Sequence, residues 1–350
     1  MKHRLLALLC IAVLVLGCLP LTACGKKIEK FSTHSFDYFD TATTITGYAK
    51  RVEDFDKVSD TAFGLLAAYH QLYDIYTQYE GITNLCVVNQ MAGNGKPLEV
   101  DRRIIDLLVY AKEMYTLTDG QVNVAMGSVL SLWHQYRTEG MDQPTKAQLP
   151  PMKELKEAAR HTNINDVVID KDKGTVTLTD PAMRLDVGAI AKGYATERVA
   201  RWLEAQGYTG YILNVGGNVR TIGSKGDGEP WTVGIENPDS TKDDYLAYLH
   251  LSGQALVTSG SYQRYYVVDG KEYHHIIHPD TLMPATGFVS VSVVCADSGQ
   301  GDALSTALFC LSLKEGQKLV ESLDGVEALW VSHDGSQTAS AGWKTYVEKK

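Results

Sequence analysis

Between Leu185 and Gly217 the chain reads LDVGAIAKGYATERVARWLEAQGYTGYILNVGG, a stretch that leaves few choices of local structure. A short β-type run, Arg184 to Val187, contains an acidic residue and is followed by a small-residue turn at Gly188 and Ala189. Lys192 and Gly193 then open an amphipathic helix, because Ile190, Tyr194, Val199, Trp202 and Leu203 recur near a 3.6-residue period as far as about Gly207. A second strand, Tyr211 to Val215, runs into Gly216 and Gly217. Backbone free to approach a ligand, at a helix start that favours negative charge, describes a phosphate site. The pattern is neither a P-loop nor a dinucleotide GxGxxG. Taken on its residues alone it leaves open an anion site or tight packing of helix on strand.

The chain has 350 residues, enough for one large domain or two intimate ones. Its 33 basic and 42 acidic residues give a net charge of −9, which excludes a nucleic-acid binder that needs a basic footprint. Lys2 and Arg4, followed by the apolar run Leu5 to Leu19, predict an export signal over residues 1–23, too short for a permanent membrane span. It ends at Leu21-Thr22-Ala23-Cys24-Gly25, which resembles a bacterial lipoprotein cleavage box. Cleavage there makes Cys24 the lipidated N-terminus, and its acyl chains exceed what stable anchoring requires. Residues 24–35, with Lys26, Lys27 and Lys30, then read as a tether of about 40 Å when extended. The body, residues 36–350, is expected on a membrane, outside the cytoplasm. It retains Cys86, Cys295 and Cys310, with no metal-ligand spacing; they are most simply buried thiols, and a disulfide between two of them stays open.

In chain order, Phe36 to Tyr48 is β-rich, and Asp56 to Tyr79 and Arg102 to Thr116 are helical. Met152 to Arg160 is a short helix, and Val167 to Asp180 a hairpin about Asp172-Lys173-Gly174. After Gly217, runs at 231–235, 245–251, 255–258, 265–268 and 273–277 are separated by turn residues. These predict antiparallel β-sheets with packed helices, an α+β architecture. His274, His275 and His278 are no zinc set, since adjacent strand residues face opposite sides. Asp302 and Thr306, four apart, share a helix face; alone they read as an N-cap and a hydroxyl bonded back to a helix carbonyl.

LDVGAIAKGYA followed by LNVGGN resembles the signature of the ApbE family, the FAD:protein FMN transferases. Further matches follow in order over most of the chain after residue 38. They are Thr118 to Gly127 with Leu132-Trp133, Thr258 to Arg264 with Tyr273 to Pro279, and the DALSTA run beginning at Asp302. The resemblance implies an ApbE-like, T-fold-like architecture and FAD as substrate. FMN would pass to a threonine or serine hydroxyl of an acceptor flavoprotein, with AMP released. A subunit of a membrane redox complex is one such acceptor. It further implies Mg²⁺ held by Asp302, Thr306 and a backbone oxygen near the AKG turn, most simply that of Ala189. Phe39, Tyr79, Gln121, Val122, Asn123, Asp186, Lys192 and His275 are carried over as flavin- or phosphate-contacting residues. Asn123 stands where the family has aspartate, and His278 where aspartate or asparagine is usual. His275 and Asp302 are the expected catalytic residues. Hydrolysis of FAD to FMN and AMP, or a surface lipoprotein that only binds flavin, are the competing readings.

Overall fold

The computed structural model describes residues 28–239 and 241–348; the expected leader, residues 1–23, and the lipidation site Cys24 lie outside them. Chain order begins with β1 (Glu29–Tyr38), β2 (Thr41–Ala49), α1 (Val52–Tyr73), α2 (Leu85–Gln90) and β3 (Leu98–Glu99). Next come α3 (Arg102–Leu117), α4 (Gly127–Asp142), α5 (Met152–Ala158), β4 (Val167–Asp170) and β5 (Thr175–Leu178). The organising stretch supplies α6 (Ala191–Ala205), β6 (Tyr211–Val215) and then β7 (Asn218–Ile222). β8 (Trp231–Glu236), β9 (Tyr245–Leu251), β10 (Ala255–Gly260), β11 (Tyr265–Val268), β12 (Lys271–His274) and β13 (Ser290–Cys295) follow. The chain closes with α7 (Ser298–Cys310), α8 (Leu313–Glu321), β14 (Glu327–Val331) and β15 (Gln337–Ala339).

Eight strands join in one sheet, ordered β1-β2-β6-β7-β10-β13-β14-β15, and its ladders are antiparallel, as the α+β reading expects. The period-2 alternation of side chains gives the sheet two apolar faces. On β13, Val291, Val293 and Cys295 pack beneath Leu304 and Leu308 of α7. Val294 points the other way, into a cluster with Trp231, Leu249 and Leu251 of the β8–β9 hairpin. Helices thus cover one face and a hairpin the other.

On the helical face α6 lies over β6 and β7, α7 over β10 and β13, and the two helices touch. They meet at Gly193, where a Cβ would fall 2.3 Å from Ser298 O and 2.5 Å from Asp302 Cβ. One turn on, the wholly buried Glu197 accepts hydrogen bonds from Arg201 Nε (2.6 Å), Arg220 Nε (2.9 Å) and the Ser298 N–H (2.9 Å). Arg220 on β7 is 3% exposed, so this is a buried ion pair with its polar atoms matched.

Several expectations shift. Glu29 to Ser35, assigned to the tether, belongs to β1: Phe31 packs on Phe55 at 5.7 Å, a strand signal that the neighbouring lysines obscure. The first long helix starts at Val52 and stops at Tyr73, not Tyr79. The Asp74 carboxylate accepts the N–H groups of Tyr76 (2.7 Å) and Thr77 (3.0 Å), a turn that competes with further helix. Arg184 to Val187 is no ladder strand; its one pairing is an isolated bridge from Arg184 to Met126. The last histidine-bearing strand ends at His274, before Ile277. Cys86, Cys295 and Cys310 are free, buried thiols. No helix among the described residues is long and apolar enough to cross a membrane.

Two glycine substitutions separate packing from helix propensity. Gly193→Ala should destabilise by about 1–3 kcal/mol through overpacking, although alanine is the better helix former. Gly64→Ala, on an exposed face of α1 with nothing within 4 Å, should stabilise by about 0.5–1 kcal/mol. Urea denaturation of the two variants measures both signs.

Candidate active site

A cavity of about 640 Å³ opens where the β1–β2 turn, the segment after α1, the inner face of α4 and the first turn of α6 converge. Asp302 and Thr306 of α7, and His275 beyond β12, line the same space. That volume suits a small-molecule ligand.

Its acidic pole is Asp302, 4% exposed. The bland alternative, Asp302 as the N-cap of its own helix, is excluded: α7 is capped by Asp297, whose Oδ1 accepts from Gly299 N (2.8 Å) and Gln300 N (3.0 Å). The hydroxyl that bonds back on this helix is that of Ser305, donating to Asp302 O at 3.0 Å. Asp302 instead reaches the start of α6, where Oδ2 accepts the Gly193 N–H at 2.8 Å. Ile190, the N-cap of α6, has no side-chain acceptor, so Asp302 satisfies an orphan amide from a neighbouring helix. Lys192 Nζ stands 3.6 Å from Asp302 Oδ1 and 3.5 Å from Gly188 O. Burial holds the Asp302 carboxyl above the usual carboxylate range, against the opposing pull of Lys192, the Gly193 amide and Asn218. Ala189 and Thr306 border the same pole. Asn218 Oδ1, next to it, is buried with no hydrogen-bond partner.

The carried-over contacts behave differently from one another. Phe39 and Asp40 form the two-residue β1–β2 turn with φ of 55° and 51°, values that suit a type I′ hairpin but strain non-glycine residues. The turn is pinned at both residues. Phe39 N donates to His70 Nδ1 (3.2 Å), and Arg264 Nη2 donates to Asp40 O (3.1 Å). Tyr79 closes the set, its hydroxyl donating to Asp74 Oδ2 at 2.9 Å and lying 3.4 Å from His70 Nε2. Phe39 and Tyr79, forty residues apart, therefore share one wall of the cleft. Gln121 lines it too, with its Oε1 buried and unpartnered. Asp186 accepts the Gly188 N–H at 2.8 Å, and burial raises its carboxyl.

Val122 and Asn123 both border the cleft, with their side chains engaged by the protein. The Val122 side chain is 2% exposed within the core. Asn123 spends its amide on the backbone: Nδ2 donates to Thr162 O (2.8 Å) and Oδ1 accepts from Ala125 N (2.9 Å). It shapes the turn before α4, a task that an uncharged amide performs with both of its ends.

His275 Nδ1 is 3.2 Å from Arg264 O, so that nitrogen carries the proton and Nε2 keeps the free lone pair. Desolvation in the cleft, and then the charges of Arg264 and Arg137, push its pKa down to about 3. His274 also borders the cleft, but both its nitrogens are engaged, Nε2 donating to Ala285 O at 2.7 Å and Nδ1 accepting from Ile276 N, and His278 Nδ1 accepts from Asp280 N at 3.1 Å. Sequence reasoning missed His134 and Arg137, which line the cleft beside Leu130 and Trp133. The spacing 130, 133, 134, 137 is one helix face, and that was the available signal.

His275 has a pKa of about 3 when folded, against about 6.5 for an unperturbed imidazole. The unfolded chain therefore takes up the extra proton as pH falls from about 6.5 towards 3, and the folded state loses stability over that window. His275→Gln should flatten that part of the pH dependence of the urea midpoint. In the folded, ligand-free protein the His275 ring should show no NMR titration between pH 5 and 8.

The ApbE family model matches residues 39–330. Two curated relatives, from Klebsiella pneumoniae and Treponema pallidum, are each 31% identical and each called FAD:protein FMN transferase. The first alignment covers 79% of this chain and 83% of the relative, the second 87% of each. An ApbE protein of Thermotoga maritima superposes with a TM-score of 0.80 at 28% identity, over 92% of this chain and all of that one. With a match over most of its length, and with the family's motifs gathered around one cleft, the chain belongs to the ApbE family.

Proposed function

We propose that the chain transfers FMN from FAD to a threonine or serine hydroxyl of an exported or membrane acceptor flavoprotein, releasing AMP. The activity named for its relatives supports the coarse reaction. The observation that carries the residue assignment is the convergence of Asp302, Lys192 and His275 on one cavity.

The residues fit Mg²⁺ at the acidic pole. The set is a carboxylate, a hydroxyl and a carbonyl, from Asp302, Thr306 and Ala189, with the unpartnered Asn218 Oδ1 alongside. Oxygen ligands with a single protein charge suit an ion that keeps waters and takes phosphate oxygens. When bound, Mg²⁺ neutralises charge on the pyrophosphate. Gln121 Oε1 offers an acceptor to an N–H edge of the ligand, and the Phe39–Tyr79 wall offers apolar surface to a ring.

Phosphoryl transfer asks a protein mainly for position and charge. Lys192 holds positive charge at the helix start. His275 Nε2 accepts the proton of the acceptor hydroxyl, the oxygen bonds to the FMN-side phosphorus, and the bond to the AMP phosphate breaks with its electron pair leaving on AMP. An imidazole with a pKa of about 3 is a weak base in the free protein. Burial is the larger cause of that depression; the charges of Arg264 and Arg137 are the smaller one, and FAD bound without Mg²⁺ should offset that smaller part and raise the His275 pKa. The lipoprotein box at Cys24 supports a lipid-anchored body on the extracytoplasmic face of the cell membrane, where its acceptor stands.

The test is mass spectrometry of an acceptor domain incubated with the protein, FAD and Mg²⁺, with AMP followed in the same tube. One FMN gained per AMP supports transfer. Free FMN with AMP and an unmodified acceptor would make the protein a hydrolase, and FAD bound without AMP a flavin binder. Asp302→Ala should cut turnover at least about a hundredfold, as loss of several kcal/mol of charge stabilisation implies, and chelation of Mg²⁺ should do likewise.

A further inference from the structure

The α4 face that lines the cleft ends in Arg137, half-buried between the inner wall and the opening. Its Nη2 donates to His134 Nδ1 at 3.0 Å. A guanidinium has five N–H donors, so most of this fork is unspent. Arg264 is an electrostatic neighbour of Arg137, and each is within reach of His275. Among the described residues neither guanidinium forms an ion pair with a carboxylate, although acidic residues outnumber basic ones in this chain. Asp186 in the same cleft pulls on Arg137 without pairing with it, so a half-buried guanidinium beside the like charge of the exposed Arg264 keeps most of its donors for an anion.

We propose that Arg137, with Arg264 beside it, is an anion subsite for phosphate oxygens of the dinucleotide, separate from the pole at Asp302 and Lys192. The inference rests on the transferase reading and adds a specificity determinant to it. A planar fork matches a phosphate in two-point contact, which a lysine does not reproduce. An acidic side chain of the acceptor protein fits less well. Arg264 is exposed enough to meet one, but Arg137 lies deeper, next to Tyr76 and the buried Tyr266. The cleft would then grip the pyrophosphate from two sides, with Lys192 and a cation that Asp302 and Thr306 would hold on one, and Arg137 on the other. His134, which accepts from Arg137, orients the guanidinium and is held neutral by burial and by that same charge.

The test compares FAD with riboflavin, which has the ring and no phosphate, by flavin-fluorescence titration of the full protein. Arg137→Gln should weaken FAD about tenfold to a hundredfold, as loss of charged hydrogen bonds implies, and leave riboflavin binding unmoved. Arg137→Lys should recover part of the FAD loss, and added salt should weaken FAD less in Arg137→Gln than in the wild type. Equal loss of FAD and riboflavin would overturn the proposal in favour of a structural role, as would unchanged binding of both. Unchanged FAD binding with a raised KM for the acceptor would also overturn it, by giving the residue to the protein substrate. If Arg137→Gln binds neither flavin, Arg137→Lys decides: FAD weakened with riboflavin intact supports the subsite, and both intact overturns it. Wild-type protein that binds FAD but yields no AMP would remove the transferase reading, while the FAD-to-riboflavin comparison would still report on Arg137.

Discussion

A carboxylate of one helix bonded to an amide of another sets the arrangement of this cleft. Asp302 accepts the Gly193 N–H, and it can do so only because residue 193 has no side chain to keep α6 and α7 apart. A second tie, Glu197 to the Ser298 amide, fixes the same two helices four residues along α6. Arg220 holds Glu197 from the sheet below. The acidic pole is therefore located by backbone contacts and a buried ion pair, and not by the flexible side chains around it. Lys192, adjacent to Gly193, is brought to Asp302 by the same geometry.

Much of this was legible, for identifiable reasons. The helix of the organising stretch has a clean period, and the strands after Gly217 are separated by turn residues, so both were readable from local pattern. The Asp302–Thr306 pair was readable as a helix face, but not as a cap for a different helix, since nothing local records which amide a carboxylate will meet a hundred residues away. Asp74 ended α1 six residues earlier than the run of tyrosines suggested, because a side-chain turn outcompeted an apolar period that continued through it. Asn123 and Val122 sat in a matching motif, yet their side chains went to a turn and to the core. A motif marks a position in the chain; which way each side chain faces is settled by tertiary packing.

Charge is distributed unevenly for a protein of net −9. Burial first, and then the charges of Arg264, Arg137 and Lys192, keep His275 neutral with one nitrogen's lone pair free. In the free protein the neutrality of this histidine is thus set by burial and by charge together, and an anion bound beside it would change only the second.

The β1–β2 turn at Phe39 and Asp40 also fixes a distance. β1 runs from Glu29 to that turn, which borders the cleft, with one register shift between Ser35 and Tyr38, and its ten residues span at most about 30 Å. Whatever precedes residue 28 therefore joins the body at the far end of an edge strand. An attachment made there, whether an anchor or a fused tag, pulls along the strand and not on the cleft, so the body can be tethered without obstructing the approach of a second protein to the opening.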